Sequence, residues 1–227
     1  MRILAIDTAL DACSAALIET IDDSVLGFES REIGRGHAEQ LLPIIDSVMK
    51  KADARFEHID RFAVTIGPGS FTGLRVGLSA ARGFGLVTKK PVVGISTLAA
   101  FIAPLMTQDQ AIPVVAAIDA KHGNLYMQMV GAGGRTLVTA RAAGLRETVR
   151  AVALGPVRIV GNAADMLAAH WPPKLPQPVL VEQRTAPDIV WVARIAAVAD
   201  PERALPKPLY LKLPDAQPQT AGRIARQ

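Results

Sequence analysis

Residues 65–85 read TIGPGSFTGLRVGLSAARGFG, a glycine-rich turn running straight into a helical pattern. Two nucleotide-binding folds open this way, and the residues argue against both. A P-loop needs GxxxxGK followed by Ser or Thr, because the Lys neutralises phosphate and the hydroxyl reaches magnesium. Here Gly73 is followed by Leu74 and Arg75, and the turn holds no Lys. A dinucleotide fingerprint needs GxGxxG and an acid about 20 residues on, at the end of the next strand. Gly67, Gly69 and Gly73 give GxGxxxG instead, and the following strand pattern PVVGI (91–95) carries no acid. What remains is a turn of permissive glycines, stiffened by Pro68, with Ser70 predicted as a helix N-cap. A residual anion site at this helix start is the weaker alternative.

The flanking pattern points to a different architecture. Apolar runs bounded by turn residues predict strands over Met1–Asp7, Cys13–Glu19 and Val25–Arg31. His37, Ala38, Leu41, Leu42, Ile45, Val48 and Met49 recur at helical spacing and predict a helix from about Gly36 to Lys51. Pro43 should bend that helix or fall near its first turn. A strand at Phe62–Ile66, the helix Ser70–Gly85, a strand at Pro91–Ile95 and a helix capped by Ser96 complete the order β-β-β-α-β-α-β-α. A Rossmann sheet starts β-α-β. Three antiparallel strands followed by alternation suit the ribonuclease-H-like lobe of the actin-like (ASKHA) architecture. Ile112–Ala120 and Asn124–Val130 read as a second hairpin, where the motif begins again in reduced form. A strand at Val157–Val160, helices at Asn162–His170 and Ala186–Ala199, and a Pro-rich loop at Trp171–Pro178 follow. The expected organisation is an N-terminal lobe over 1–110, a reduced lobe over 111–216 and a flexible tail over 217–227. From Leu205 onward the chain reads as extended and docked near Tyr210.

Composition narrows the function classes. Half of the 227 residues are hydrophobic but only 4% are aromatic, so the core is aliphatic and platforms for stacking bases are not expected. The net charge of +4 comes without a dense Lys/Arg stripe, and Lys207, Lys212, Arg223 and Arg226 read as scattered surface charge. Cys13 is the single cysteine, which excludes an intrachain disulfide and a thiolate metal cage. Asp7 and Asp11 interrupt the apolar start and only Arg2 precedes it, so a secretory leader is not expected. No run approaches the ~18 apolar residues of a membrane span, and a cytoplasmic protein without membrane contact is the expectation.

Candidate chemistry is thin. His37, His58, His122 and His170 form no pair at i, i+3 or i+4, the spacing that sets two imidazoles around one metal, so no metal site is expected. No Ser sits in a GxSxG elbow. Asp7 ends the first strand where actin-like ATPases place an acid, and Thr8 follows. Their turn lacks glycine, so two readings stay open: Asp7 simply forms the turn, which is favoured, or the pair is a vestigial phosphate site. The helix after the turn carries Gly73, Gly77 and Ala81 at four-residue spacing, beside an apolar stripe of Phe71, Leu74 and Leu78. Two readings stay open: the strip packs on the chain's own sheet, or it faces another protein.

GPGSFTGLRVG (67–77), IDTA (6–9), GHAEQLLP (36–43), IDAKHGNLY (118–126) and LYLKLPDA (209–216) together resemble the TsaB (YeaZ) family over almost the whole chain. The resemblance implies a two-lobed actin-like fold with a reduced second lobe. It also implies a non-catalytic role in making threonylcarbamoyladenosine beside the tRNA anticodon. The related catalytic subunits, TsaD, carry two metal-binding histidines where Thr97 and Phe101 stand in GISTLAAF (94–101). Pairing with a TsaD-type subunit through the first two helices is implied, with a TsaE-type ATPase at the junction and tRNA met through the complex. ATP and metal would belong to those partners, with no cofactor held by this chain. Self-pairing in the partner's absence stays open. On this reading the interface residues are His37, Leu41, Ile45, Phe71, Leu74, Arg75, Gly77, Leu78 and Ala81. The rival expectation is an ATP-dependent phosphotransferase or ATPase using Asp7 and Thr8. A metallopeptidase is a third, and it lacks visible ligands.

Overall fold

The computed structural model describes residues 1–212. The tail expected over 217–227, Arg223 and Arg226, and the end of LYLKLPDA lie outside them. β1 (Arg2–Asp7) carries the apolar run ILAI, buried on both faces, and it becomes a central strand. It pairs antiparallel with β2 (Ala12–Glu19) and parallel with β4 (Arg61–Gly67). β3 (Ser24–Glu32) and β5 (Val92–Ser96) close a five-stranded sheet in the order β3-β2-β1-β4-β5.

The same plan returns in the second half. β6 (Val114–Asp119) pairs antiparallel with β7 (Asn124–Val130) and parallel with β9 (Arg158–Gly161). β8 (Thr136–Gly144) and β10 (Leu180–Gln183) lie outside them, giving the order β10-β9-β6-β7-β8. Strand for strand, this matches the first sheet.

α1 (His37–Lys51) and α2 (Phe71–Thr88) cover one face of the first sheet, where Leu41, Ile44, Val48, Leu78 and Ala81 meet Leu4, Ile6, Leu17 and Val64. α4 (Leu145–Val152) and α5 (Ala164–Ala169) do the same for the second sheet, with only 8 and 6 residues against 15 and 18. The remaining helices are exchanged. α3 (Thr97–Gln108) leaves the first sheet and packs Phe101, Ile102 and Leu105 against Val114, Ala116 and Val160 of the second. α6 (Ile189–Val198) returns and seats Ile189, Val192 and Ala196 on Ile3, Ala5 and Ile18. The segment 189–198 therefore belongs to the core of the first sheet, which corrects a simple division of the chain at residue 110.

Three elements go beyond the sequence reading: β8, α4 and β10. Pro43 lies inside α1, in its second turn, and the helix runs on through it. Ser96 precedes α3, but its hydroxyl makes no capping hydrogen bond. α6 starts later than expected because Asp188 caps it, its carboxylate accepting from the Val190 amide at 2.9 Å.

Candidate partner-binding site

Ser70 caps α2 as expected, its hydroxyl oxygen accepting from the Gly73 amide at 3.2 Å. The small-residue strip of α2 then meets its partner inside the same chain. A Cβ on Gly73 would strike the Thr8 carbonyl oxygen, and one on Gly77 would lie 2.5 Å from Thr8 Oγ1. Thr8 Oγ1 in turn donates to the Gly73 carbonyl at 2.7 Å. Leu41, Ile45, Leu74, Leu78 and Ala81 are buried in the chain's own core. His37 is buried too, its ring Nε2 donating to the Leu10 carbonyl at 2.8 Å. These seven residues, Gly77 among them, are thus corrected from partner contacts to internal ones. Only glycine lets the helix backbone approach the turn this closely, so the strip is used up in closing the first lobe. Phe71 and Arg75 alone among the expected contacts lie exposed.

Asp7 and Thr8 are sealed beneath that helix. Parallel pairing of β1 and β4 brings Thr65 beside Asp7, and the Thr65 hydroxyl donates to Asp7 Oδ1 at 2.5 Å. The Ala9 amide adds a second bond at 3.0 Å, while Oδ2 has no partner among the described residues. Burial pushes the Asp7 carboxyl above the usual carboxylate range, against the opposing pull of Thr65, the Ala9 amide and His37. Two of the amides at the start of α2 are already engaged within the chain. Ser70 N donates to the Ala9 carbonyl at 2.7 Å, and Gly73 N donates to Ser70. Nearby, burial and then the Asp7 charge push the Cys13 thiol up to about 11, which suits a structural cysteine.

The outer face of α2 carries a second apolar stripe that the sequence reading passed over. Val76, Ala80, Gly83 and Val87 follow at helical spacing and, with Ala38 and Leu42 of α1, line an open groove of about 890 Å³. Leu42 is 59% exposed and Val87 81%, two large aliphatic side chains lining one open groove. Phe56 stacks on Phe84 at 5.0 Å between ring centres and floors the groove. At one end the Arg75 guanidinium lies 3.8 Å over the Phe71 ring. Among the described residues, no group of three His, Cys, Asp or Glu is placed to hold a metal, and no helix is long and apolar enough to cross a membrane.

Two sheets of one topology with exchanged terminal helices define the actin-like ATPase fold. A Bacteroides thetaiotaomicron protein of that fold and unknown function superposes with a TM-score of 0.50 at 9% identity, covering 86% of this chain and 95% of that one. A Pseudomonas aeruginosa protein described as similar to peptidase YEAZ superposes at 0.77 with 24% identity, covering 93% and 99%. Within the fold, residues 15–185 match the family model of TsaD, tRNA N6-adenosine threonylcarbamoyltransferase, and the chain belongs to this TsaD/TsaB (YeaZ) family. It is 37% identical to the tRNA threonylcarbamoyladenosine biosynthesis protein TsaB of Escherichia coli K12 over 126 residues, 56% of this chain and 53% of that protein. The match thus spans about half the length of the curated TsaB relatives.

Proposed function

We propose that this chain is a non-catalytic subunit in tRNA threonylcarbamoyladenosine biosynthesis, working in the cytoplasm. It docks a TsaD-type catalytic subunit through the groove between α1 and α2, and the junction recruits a TsaE-type ATPase. The assembled complex transfers threonylcarbamoyl to the adenosine adjacent to the anticodon in tRNAs, with ATP and metal held by the partners. The observation that carries this reading is the exposed groove around Leu42 and Val87, formed by two long helices in a family named for that modification. Thr97 and Phe101, where the catalytic relatives' histidines are expected, are buried side chains with no imidazole to offer, which supports a partner role.

The rival reading, an ATP-dependent phosphotransferase working through Asp7 and Thr8, meets a turn whose space is filled by α2. The test is size-exclusion chromatography with light scattering on the chain mixed with the TsaD-type subunit of its own organism. A heterodimer is expected, lost in Leu42→Glu and Val87→Glu, with tRNA modification by the reconstituted system lost in parallel. Failure of the unaltered chain to pair, or pairing that survives both substitutions, sinks the proposal.

A further inference from the structure

After α6, residues 204–211 run as a strap along one flank of α2, held at several points. The Gly94 amide, in the middle of the edge strand β5, donates to the Ala204 carbonyl at 2.8 Å, and the Leu209 amide donates to the Ile66 carbonyl at 2.8 Å. From α2, Arg82 Nε donates to the Pro206 carbonyl at 3.0 Å. The strap ends by laying Tyr210 against Phe71, with 5.7 Å between ring centres. Phe71 in turn carries the Arg75 guanidinium over its ring, and Arg75 also lines the α1–α2 groove. Tyr210 and Phe71 are each 50% exposed, and Arg75 has no carboxylate partner among the described residues.

We infer that the strap is part of the partner-binding surface, and that the Tyr210–Phe71–Arg75 stack presents a fixed guanidinium to a carboxylate bordering the partner's apolar helical face. This rests on the docking role proposed above and names what fixes its polar end. The tilted ring contact with Tyr210 orders Phe71, and the cation–π contact then holds Arg75 in one direction before binding, which lowers the ordering cost of association. A long apolar groove gives area with little register. An unpaired cation at one end supplies direction through charge complementarity. Tyr210 is thus a positioning residue, and Arg75 makes the contact.

Isothermal titration of the full chain with its TsaD-type subunit, at low and at high salt, tests this. Tyr210→Ala and Arg75→Gln should each weaken binding at least tenfold at low salt and flatten its salt dependence, and Tyr210→Phe should bind as the unaltered chain does. Unchanged affinity in both Tyr210→Ala and Arg75→Gln overturns the inference, and loss in Arg75→Gln alone overturns the positioning role of the strap. Should Tyr210→Ala fail to fold, as circular dichroism would reveal, the exposed Arg75→Gln variant decides. Leu42→Glu separates the two levels. If it abolishes pairing while the stack variants do not, only the inference fails. If none of the three has an effect, the docking role falls as well.

Discussion

β1 and β6 are each six residues long, each ends on an aspartate, and each aspartate accepts from the amide two residues on. Asp7 takes the Ala9 amide at 3.0 Å and Asp119 the Lys121 amide at 2.8 Å. From that shared start the two lobes diverge. In the first, the glycine face of an 18-residue helix lies directly on the turn and buries Asp7 completely. In the second, the helix that follows the fourth strand has 6 residues, and Asp119 stays in touch with solvent beside the exposed Lys121, whose Nζ lies 2.9 Å away. One backbone position therefore has two electrostatic fates, decided by how much helix covers it. The lobes are tied together by a second repeated device. The arginine that opens the fourth strand of each sheet caps the helix arriving from the other lobe. Arg61 Nη1 donates to the Ala196 and Ala199 carbonyls at the end of α6, at 2.5 and 2.9 Å. Arg158 donates to the carbonyls of Leu105 in α3 and Ile112 beyond it, at 2.8 and 2.7 Å, and also to that of Asp109.

The sealing of the first turn is where a single atom should do most damage. Gly73→Ala puts a methyl group into the Thr8 carbonyl oxygen, a backbone atom that cannot step aside. A loss of about 3 kcal/mol is expected from overpacking of this kind, read as a fall in the urea midpoint. A near-neutral Gly73→Ala would mean that the turn is not held by α2 at all. At Gly77 a side chain would instead meet the Thr8 hydroxyl and Val64, so bulky substitutions there should unfold the chain rather than merely uncouple a partner.

Next in size come the two bridging arginines. Arg158 is buried and serves three carbonyls, so Arg158→Met should cost about 3 kcal/mol, within the range for buried bonds to a charged donor whose loss orphans the acceptors. Arg61 serves two carbonyls from a partly buried position, and Arg61→Met should cost about 1.5 kcal/mol. Equal costs in denaturant titrations would break the idea that the second lobe depends more heavily on its arginine.

The paired aspartates give opposite pH signatures. Asp7 has a raised native value because burial outweighs its hydrogen bonds. Above the ordinary aspartate value of about 3.9 the unfolded chain releases its proton while the native carboxyl keeps it, so stability falls as pH climbs to the raised native value. Asp7→Asn should remove that downward slope and compare best with the unaltered chain near neutrality. At Asp119 burial also raises the value, but the Lys121 side chain and amide outweigh it and the net direction is down. Its stabilising effect is present above the ordinary value and is lost as pH falls through the lowered native one. With Lys121 largely in solvent, Asp119→Asn should cost at most about 1 kcal/mol at neutral pH. Stability profiles that move in the same direction for both variants would undo the comparison.

The first lobe was more legible than the second for a physical reason. Its strands are short apolar runs closed by Asp, Gly or charged residues, and those boundaries can be read locally. β8, TLVTARAAG, pairs only with β7 among the described residues, mixes Thr, Ala and Arg without clean alternation, and passes into α4 at Gly144. β10 has four residues behind a proline-rich loop. The candidate site was half legible. Periodicity displays both apolar stripes of α2, but burial assigns the Leu74–Leu78–Ala81 side inward, leaves Gly83 and Val87 exposed, and sets Val76 half-buried between them. The glycine spacing signalled close packing, and the neighbour it packs on is a turn some 65 residues earlier in the chain, a contact no local pattern encodes.

The smallest effect sharpens this last point, because it sets two glycines of one helix against each other. Gly83 lies in α2 with nothing within 4 Å of the place a methyl group would take, whereas Gly73 has the Thr8 carbonyl there. Alanine at 83 should therefore stabilise the chain by about 0.5 kcal/mol, from reduced freedom of the unfolded backbone and better helix propensity. The two identical substitutions, ten positions apart, should move the thermal midpoint in opposite directions. Gly83 also lines the groove, and a helix that docks closely against it would feel the added methyl group even though the isolated chain gains. A stabilised Gly83→Ala chain with weakened affinity for the TsaD-type subunit would show the glycine kept for contact, at the expense of stability. A stabilised chain with unchanged affinity would place the contact further along the groove, towards Arg75 and Phe71.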